Sequence, residues 1–313
     1  MSQIELTYVS AVEAKTATTV FVLLSVLVVL SFLAFLVGFV MAFRKKYKMG
    51  IRSPWFWNPK DDFKPDKDVV RVKKESGKEY TVLFLPCMEI GRWSDLGKSG
   101  KKYRRMEKAI EKVAPDLIVL AGNNARKFTR QAYERLTAAL DKTGICWTAI
   151  FGDADRGNAD GEYLADIMKR SEKCLFKKGP RTVPGLSNYA IGVEEEGKIV
   201  HLLVFFDTGE TLGNACYQHA DFYLFLIRGA REYAGGAVKS TCAMFTSGPS
   251  EEFFGALSDE GAENVIFGSD RTDLASLGAS LKLYRALKAG SEEGCTVLTI
   301  GENGESSVKN VRL

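Results

Sequence analysis

Ala114-Pro-Asp-Leu-Ile-Val-Leu-Ala-Gly-Asn123 is the stretch on which the fold turns. Its apolar run begins behind Pro115 and Asp116 and stops at Gly122, the pattern of a buried strand that ends in a loop. Gly144-Ile-Cys-Trp-Thr-Ala-Ile-Phe-Gly-Asp-Ala-Asp155 has the same form, with a strand over Cys146–Phe151 closed by Gly152. Between them Ala132 to Leu140 reads as a helix. Ahead of them Tyr80-Thr-Val-Leu-Phe-Leu-Pro86 is of strand type, and Tyr103 to Val113 places Met106, Ile110 and Val113 at helical spacing. Downstream, apolar runs at Lys198–Phe206, Thr241–Phe245, Asn264–Phe267 and Thr296–Ile300 surround a helical stretch over Phe222–Tyr233. Strands that alternate with helices of roughly 10–15 residues predict an α/β sheet with crossover connections.

In such sheets the chemistry belongs at the carboxyl ends of the strands. The segments there are Cys87-Met88-Glu89, Gly122-Asn123-Asn124, Gly152-Asp153-Ala154-Asp155, Asp207-Thr208-Gly209, Thr246-Ser247-Gly248-Pro249 and Gly268-Ser269-Asp270-Arg271.

Their order and context resemble the calcineurin-like metallophosphoesterases, and within them the purple acid phosphatase-like branch. Residues 114–123 are similar to that family's PDLVVLTGD strand and residues 144–155 to its GIPWAxVFGNHD. Gly185-Leu-Ser-Asn-Tyr189 and Phe206-Asp-Thr-Gly209 resemble GxGNY and LDSG, and 261–271 resembles the closing GAxxVFxGHDH. The likeness runs from about residue 80 to the C-terminus. It implies a four-layer α/β/β/α sandwich of two mixed sheets.

The same comparison implies that the metal site is degenerate. Cys87 and Glu89 stand at the D-x-H motif, Asn123 at the bridging Asp, Asp153 at the metal-binding Asn and Ala154 at the catalytic His. The fourth motif falls at Ser247, where there is no His, and the final G-H-x-H becomes Gly268-Ser269-Asp270-Arg271. Two-metal hydrolysis needs imidazole and carboxylate ligands that hold cations about 3.5–4 Å apart. Ser269 supplies no imidazole, Ala154 no proton, and Arg271 a permanent cation where a metal would sit. His201 and His219 are the chain's two histidines, and neither lies at a motif position; both read as structural or surface residues. Glu89, Asn123 and Asp153 remain as oxygen donors for one weakly held Mg²⁺ or Ca²⁺, with Cys87 as a soft ligand. Against that stands an internal polar network in which Arg271 pairs with Glu89 or Asp153. The sequence favours the network and calls for no cofactor.

Val20 to Phe43 is apolar apart from Ser25, Ser31 and Gly38, and Thr16 to Phe43 carries no charge. That run is long enough for a membrane-spanning helix and too long for the apolar core of a signal peptide. Arg44, Lys45, Lys46 and Lys48 follow directly, so the positive-inside rule puts the C-terminal part on the cytoplasmic or matrix side. Trp55 and Trp57 fit a belt at headgroup level, and residues 58–80 read as a linker or extended arm. The expected division is an N-terminal segment (1–15), a transmembrane helix (16–43) that contacts the bilayer, a basic linker (44–79) and a phosphoesterase-like domain (80–313).

The net charge of +4 reflects this layout, since residues 44–80 hold twelve basic and six acidic side chains. The globular part has no basic excess, which disfavours nucleic-acid binding. Lys98, Lys101, Lys102, Arg104 and Arg105 form a basic run that reads first as a solvated helix face. The six cysteines show no C-x-x-C pair and read as unpaired thiols. Together these features predict a membrane-anchored, catalytically inactive phosphoesterase-like protein that serves other membrane subunits as a structural or accessory partner. A mitochondrial inner membrane is slightly favoured. The alternatives are a divergent single-metal phosphoesterase and a module that binds a phosphorylated ligand.

Overall fold

The computed structural model describes residues 3–46, 52–91, 100–156, 160–208, 214–245, 248–269, 281–287 and 294–313. The chain divides into two units, Met1–Lys48 and Met49–Leu313.

The first unit is one helix, α1 (Gln3–Lys46). Its stretch Lys15–Val40 is long and apolar enough to cross a membrane, 26 residues that extend about 39 Å at helical rise. Every side chain in that stretch is exposed. Thr19 and Ser25 donate their hydroxyls to the carbonyls of Lys15 (2.9 Å) and Phe21 (2.8 Å), so neither O–H needs water.

In the second unit the apolar runs become strands. β1 (Val69–Lys73) follows a single turn, α2 (Pro65–Asp68). Then come β2 (Tyr80–Leu85), α3 (Lys101–Val113), β3 (Leu117–Ala121), α4 (Thr129–Asp141), β4 (Cys146–Ile150), the short α5 (Asp153–Arg156) and α6 (Gly161–Met168). The second half supplies β5 (Tyr189–Glu195), β6 (Lys198–Asp207), β7 (Asn214–Ala215), α7 (Tyr217–Ala234), β8 (Lys239–Phe245), β9 (Gly248–Pro249), α8 (Glu251–Asp259), β10 (Asn264–Phe267), β11 (Lys282–Arg285), β12 (Cys295–Ile300) and β13 (Ser306–Val311).

Both large sheets are mixed. One runs β13-β12-β2-β3-β4, with β2, β3 and β4 parallel and β12 antiparallel to both its neighbours. The other runs β1-β5-β6-β8-β10-β11 and is parallel except at β5–β6. Side chains of a strand alternate between faces, and the second sheet uses both. Ile191, Val193, Leu203, Phe205, Phe245 and Ile266 share a core with the first sheet and with α3, α4 and α6. Ala190, Leu202, Val204, Phe206, Met244 and Val265 pack with α7 and α8. The layers are therefore helix, sheet, sheet, helix, as the resemblance implied.

The structure corrects the expected linker at 44–79. β1 is the edge strand of the six-stranded sheet, parallel to β5 in the register Val69↔Ala190. Arg71 pairs with Glu194 at 3.1 Å and Lys74 with Glu195 at 2.5 Å across that edge. Trp55 and Trp57 are likewise core residues and not a headgroup belt. Both rings meet Phe222 edge-on, at 5.5 and 5.1 Å between centroids, and Trp57 also meets Phe225 at 5.6 Å. Their burial against an apolar helix face outweighs any interfacial preference of the indole ring.

Candidate functional site

The described parts of the strand-end segments converge at one end of the sandwich. Cys87 and Glu89 follow β2 in left-handed backbone conformation (φ 51° and 44°), and Asn123 follows β3 likewise (φ 51°). Such angles are costly for residues with a Cβ and persist where surrounding bonds enforce them. Here Cys87 N–H donates to Gly122 O (2.9 Å), Glu89 N–H to Asn123 O (2.8 Å) and Ile90 N–H to Asn124 O (3.0 Å). The first two motif loops are thus zipped together through their backbones.

The two sheets also close on each other here. A Cβ on Gly122 would collide with the Phe245 ring, and one on Gly268 with the Ala121 carbonyl. Cys87 donates its thiol to Gly268 O at 3.5 Å, and Ser269 is buried beside it in sequence. Asn123 Oδ1 accepts the Ala154 N–H at 3.0 Å, so the amide at the bridging position braces the next loop. Asp155 is fully buried and accepts from Ala125 N–H (2.8 Å) and Gly152 N–H (2.7 Å), which ties the second and third motif loops together.

The other matched elements also serve the frame. Asp207 Oδ2 accepts from Leu186 N–H (3.0 Å), Ser187 N–H (2.6 Å) and the Ser187 hydroxyl. Ser187 Oγ in turn accepts from Phe151 N–H at 2.8 Å, and Asn188 Oδ1 from Asp207 N–H at 3.1 Å. This bracing by Ser187, Asn188 and Asp207 was missing from the sequence reading, although the GxGNY and LDSG likenesses marked its positions.

Both histidines are held elsewhere. His201 Nδ1 lies 2.6 Å from Gly304 O and Nε2 lies 3.0 Å from Thr241 Oγ1; burial pushes its pKa down to about 4. His219 Nε2 donates to Pro184 O (2.8 Å) and Nδ1 accepts Cys216 N–H (3.1 Å), closing the capping box of α7. Burial lowers its pKa too. With a carbonyl fixing one nitrogen of each ring, both imidazoles are neutral structural groups.

Among the described residues, the donors at the motif-like positions do not form a dinuclear centre. Glu89 is half-buried and Asp153 is exposed. Asn123 has spent its oxygen on Ala154 N–H, and Ala154 has no functional group. Among the described residues no three His, Cys, Asp or Glu side chains come together as a metal-ligating group. Ser247 and Arg271 lie outside the described residues, so the expected pairing of Arg271 with Glu89 or Asp153 does too. Of the basic run, Lys101 and Arg104 are exposed on α3, whereas Lys102 reaches back to donate to Glu89 O at 2.5 Å.

No family model matches the chain, and no curated protein matches it. Several solved structures are similar. Purple acid phosphatase PPD1 from yellow lupin seeds (Lupinus luteus) shows 9% identity over 61% of this chain and 38% of its own, with a TM-score of 0.39. TT1561 of Thermus thermophilus shows 12% identity over 75% and 100%, at 0.41. Calcineurin-like phosphoesterase YfkN from Bacillus subtilis shows 10% identity over 74% and 90%, at 0.37. Likenesses this low carry no argument about a site or an activity. What bears on the fold is the pair of mixed sheets between helical layers. The fold is a four-layer α/β/β/α sandwich of two mixed sheets.

Proposed function

We propose that this chain is a catalytically inactive, membrane-anchored member of a larger membrane assembly, with its phosphoesterase-like domain kept as a scaffold. The observation that carries the reading is the use made of the motif positions. Asn123 and Asp155 spend their oxygens on backbone N–H groups, and Cys87 its thiol on a backbone carbonyl. A site whose donors brace the loops around it is organised for shape and not for holding two cations.

In this reading α1 anchors the chain in the bilayer, and the basic residues after it keep the domain on the cytoplasmic or matrix side. A mitochondrial inner membrane is the placement we favour, with neighbouring membrane subunits as partners.

The test is made on the full chain purified in mild detergent. Metal content and hydrolysis of p-nitrophenyl phosphate and bis(p-nitrophenyl) phosphate are measured with added Mg²⁺, Mn²⁺ and Zn²⁺. The expected result is no stoichiometric metal and no turnover above buffer. Bound metal in stoichiometric amount, with turnover abolished by Asp153→Ala, would establish an enzyme instead. Protease treatment of intact vesicles reads the topology, and gentle solubilisation followed by native sizing reads the assembly. The chain should migrate well above its own 34.6 kDa.

A further inference from the structure

The second unit carries a cleft of about 560 Å³ on which four cations converge, Arg52, Lys169, Arg170 and Lys178, over a mainly apolar wall that includes Pro54 and Tyr163, with a single carboxylate, Asp166. Lys178 is buried between two carboxylates that more than offset its charge, 2.5 Å from Asp166 and 3.1 Å from Glu162. It forms a fixed floor. Arg52, Lys169 and Arg170 are exposed, and among the described residues no carboxylate lies within ion-pair distance of them. Lys169 and Arg170 follow the C-terminus of α6, where a cation is favoured by the helix dipole. That accounts for two of the three charges. Arg52 comes from a different part of the chain, so helix capping does not explain the convergence.

The surroundings extend the pattern. Residues 53–57 alternate, with Ser53, Trp55 and Trp57 buried and Pro54 and Phe56 exposed. Trp55 O accepts Arg181 N–H at 2.9 Å and Trp57 O accepts the Thr182 hydroxyl at 2.7 Å, which fixes the segment on the domain. The Arg181 guanidinium lies 4.9 Å over the ring of Phe56, itself 61% exposed, and Lys177 Nζ lies 4.5 Å over Trp55. An exposed aromatic ring among cations is the composition of a surface that meets lipid headgroups. Arg52 comes six residues after α1 in the sequence.

We propose that the cleft lined by Arg52, Lys169 and Arg170 binds the phosphate headgroup of an anionic phospholipid in the leaflet that α1 enters. The inference rests on the anchoring reading above, and it adds a lipid specificity that anchoring alone does not require. The three cations attract the phosphate, Tyr163 and Pro54 contribute apolar wall, and the Lys178–Glu162–Asp166 group keeps the floor rigid. A cation near an anionic leaflet is worth roughly fivefold in affinity, so three of them give a preference well above tenfold over a zwitterionic lipid.

The experiment uses the full chain in a neutral detergent, titrated with dioctanoylphosphatidylglycerol, dioctanoylphosphatidylcholine or inorganic phosphate, with affinity read by thermophoresis. Phosphatidylglycerol should bind at least tenfold tighter than phosphatidylcholine and than inorganic phosphate. The Arg52→Ser, Lys169→Ser, Arg170→Ser variant should lose that preference, whereas Lys101→Ser, Arg104→Ser, Lys108→Ser on α3 should keep it. Arg52→Glu alone should lower it several-fold, which provides a second reading if the triple variant folds poorly. Equal affinity for the two lipids overturns the proposal and leaves the face to an acidic protein surface. Inorganic phosphate binding as tightly as phosphatidylglycerol makes the cleft a free-anion site and also overturns it. A preference that survives the triple variant places the lipid elsewhere and overturns it too. Alkaline carbonate extraction of membranes reads the anchoring reading separately: a chain that resists extraction but shows no lipid preference sinks this inference alone.

Discussion

Asp155 is a fully buried carboxylate at a motif-like position, and two roles for it predict opposite responses to its removal. As a brace it accepts the N–H groups of Ala125 and Gly152 at 2.8 and 2.7 Å, and the Asn124 amide makes a weaker approach at 3.5 Å. Hydrogen bonds to a charged group contribute about 1.5–3 kcal/mol each, and every buried N–H left without a partner costs about 1–3 kcal/mol. Asp155→Ala strands two backbone N–H groups between the second and third motif loops. The expected loss is about 3–5 kcal/mol, a large part of the roughly 5–15 kcal/mol available to a domain. Asp155→Asn keeps one acceptor and should lose about half as much. As a metal ligand the carboxylate would instead be kept for the cation and not for these N–H groups, and its removal would cost the fold little. The assay is urea unfolding of the full chain in detergent, followed by tryptophan fluorescence, to which Trp147, fully buried in β4 beside this site's strand end, contributes. A loss below about 1 kcal/mol for Asp155→Ala would refute the brace, since it would mean that neither N–H depends on the carboxylate.

Three further outcomes follow from the same geometry. Trp57→Ala should cost about 3–5 kcal/mol because it empties a packed site against Phe222 and Phe225, whereas Phe56→Ala, at an exposed position, should stay within about 0.5 kcal/mol; equal effects in urea unfolding would contradict the core assignment. His201 has a folded pKa of about 4 against an ordinary 6.5, so the stability due to its neutral ring is complete above pH 6.5 and is withdrawn as pH falls towards 4. The full effect is about 3 kcal/mol, and His201→Gln should flatten the stability profile across that window; an unchanged slope counts against it. Asn123→Asp should keep the bond to Ala154 N–H and leave stability nearly unchanged, yet elemental analysis should still find no stoichiometric metal, because one restored carboxylate supplies no imidazole.

Seven strands could be read from the sequence because each is an apolar run bounded by Gly, Pro or charge: β2, β3, β4, β6, β8, β10 and β12. The strands that escaped it are mostly edges. Val-Val-Arg-Val-Lys of β1 and Ser-Ser-Val-Lys-Asn-Val of β13 alternate with polar residues, as strands with one neighbour and a solvated face do. Tyr189–Glu195 was visible only as part of a motif likeness. Trp55 and Trp57 were misplaced for a different reason: an aromatic belt and an aromatic core have the same composition. Only the alternation with exposed Pro54 and Phe56 separates them, and that depends on Phe222 and Phe225 lying opposite. At the site, the residue types at the motif-like positions were legible one by one. What the remaining side chains do instead was not, because the bonds from Asn123 to Ala154 and from Cys87 to Gly268 join loops that only the folded sheets bring together.

The place of β1 at the edge of the six-stranded sheet also decides where this chain tolerates being shortened. A version that started at residue 80, the beginning of the motif-bearing region, would strip β1 from β5 and expose a row of unpaired backbone groups along Tyr189–Glu195. It would also remove both indole rings from the apolar face of α7, leaving Phe222 and Phe225 uncovered. A bare strand edge beside an uncovered aromatic face is a template for aggregation. A cut at the division between Lys48 and Met49 removes the apolar helix and leaves both features intact.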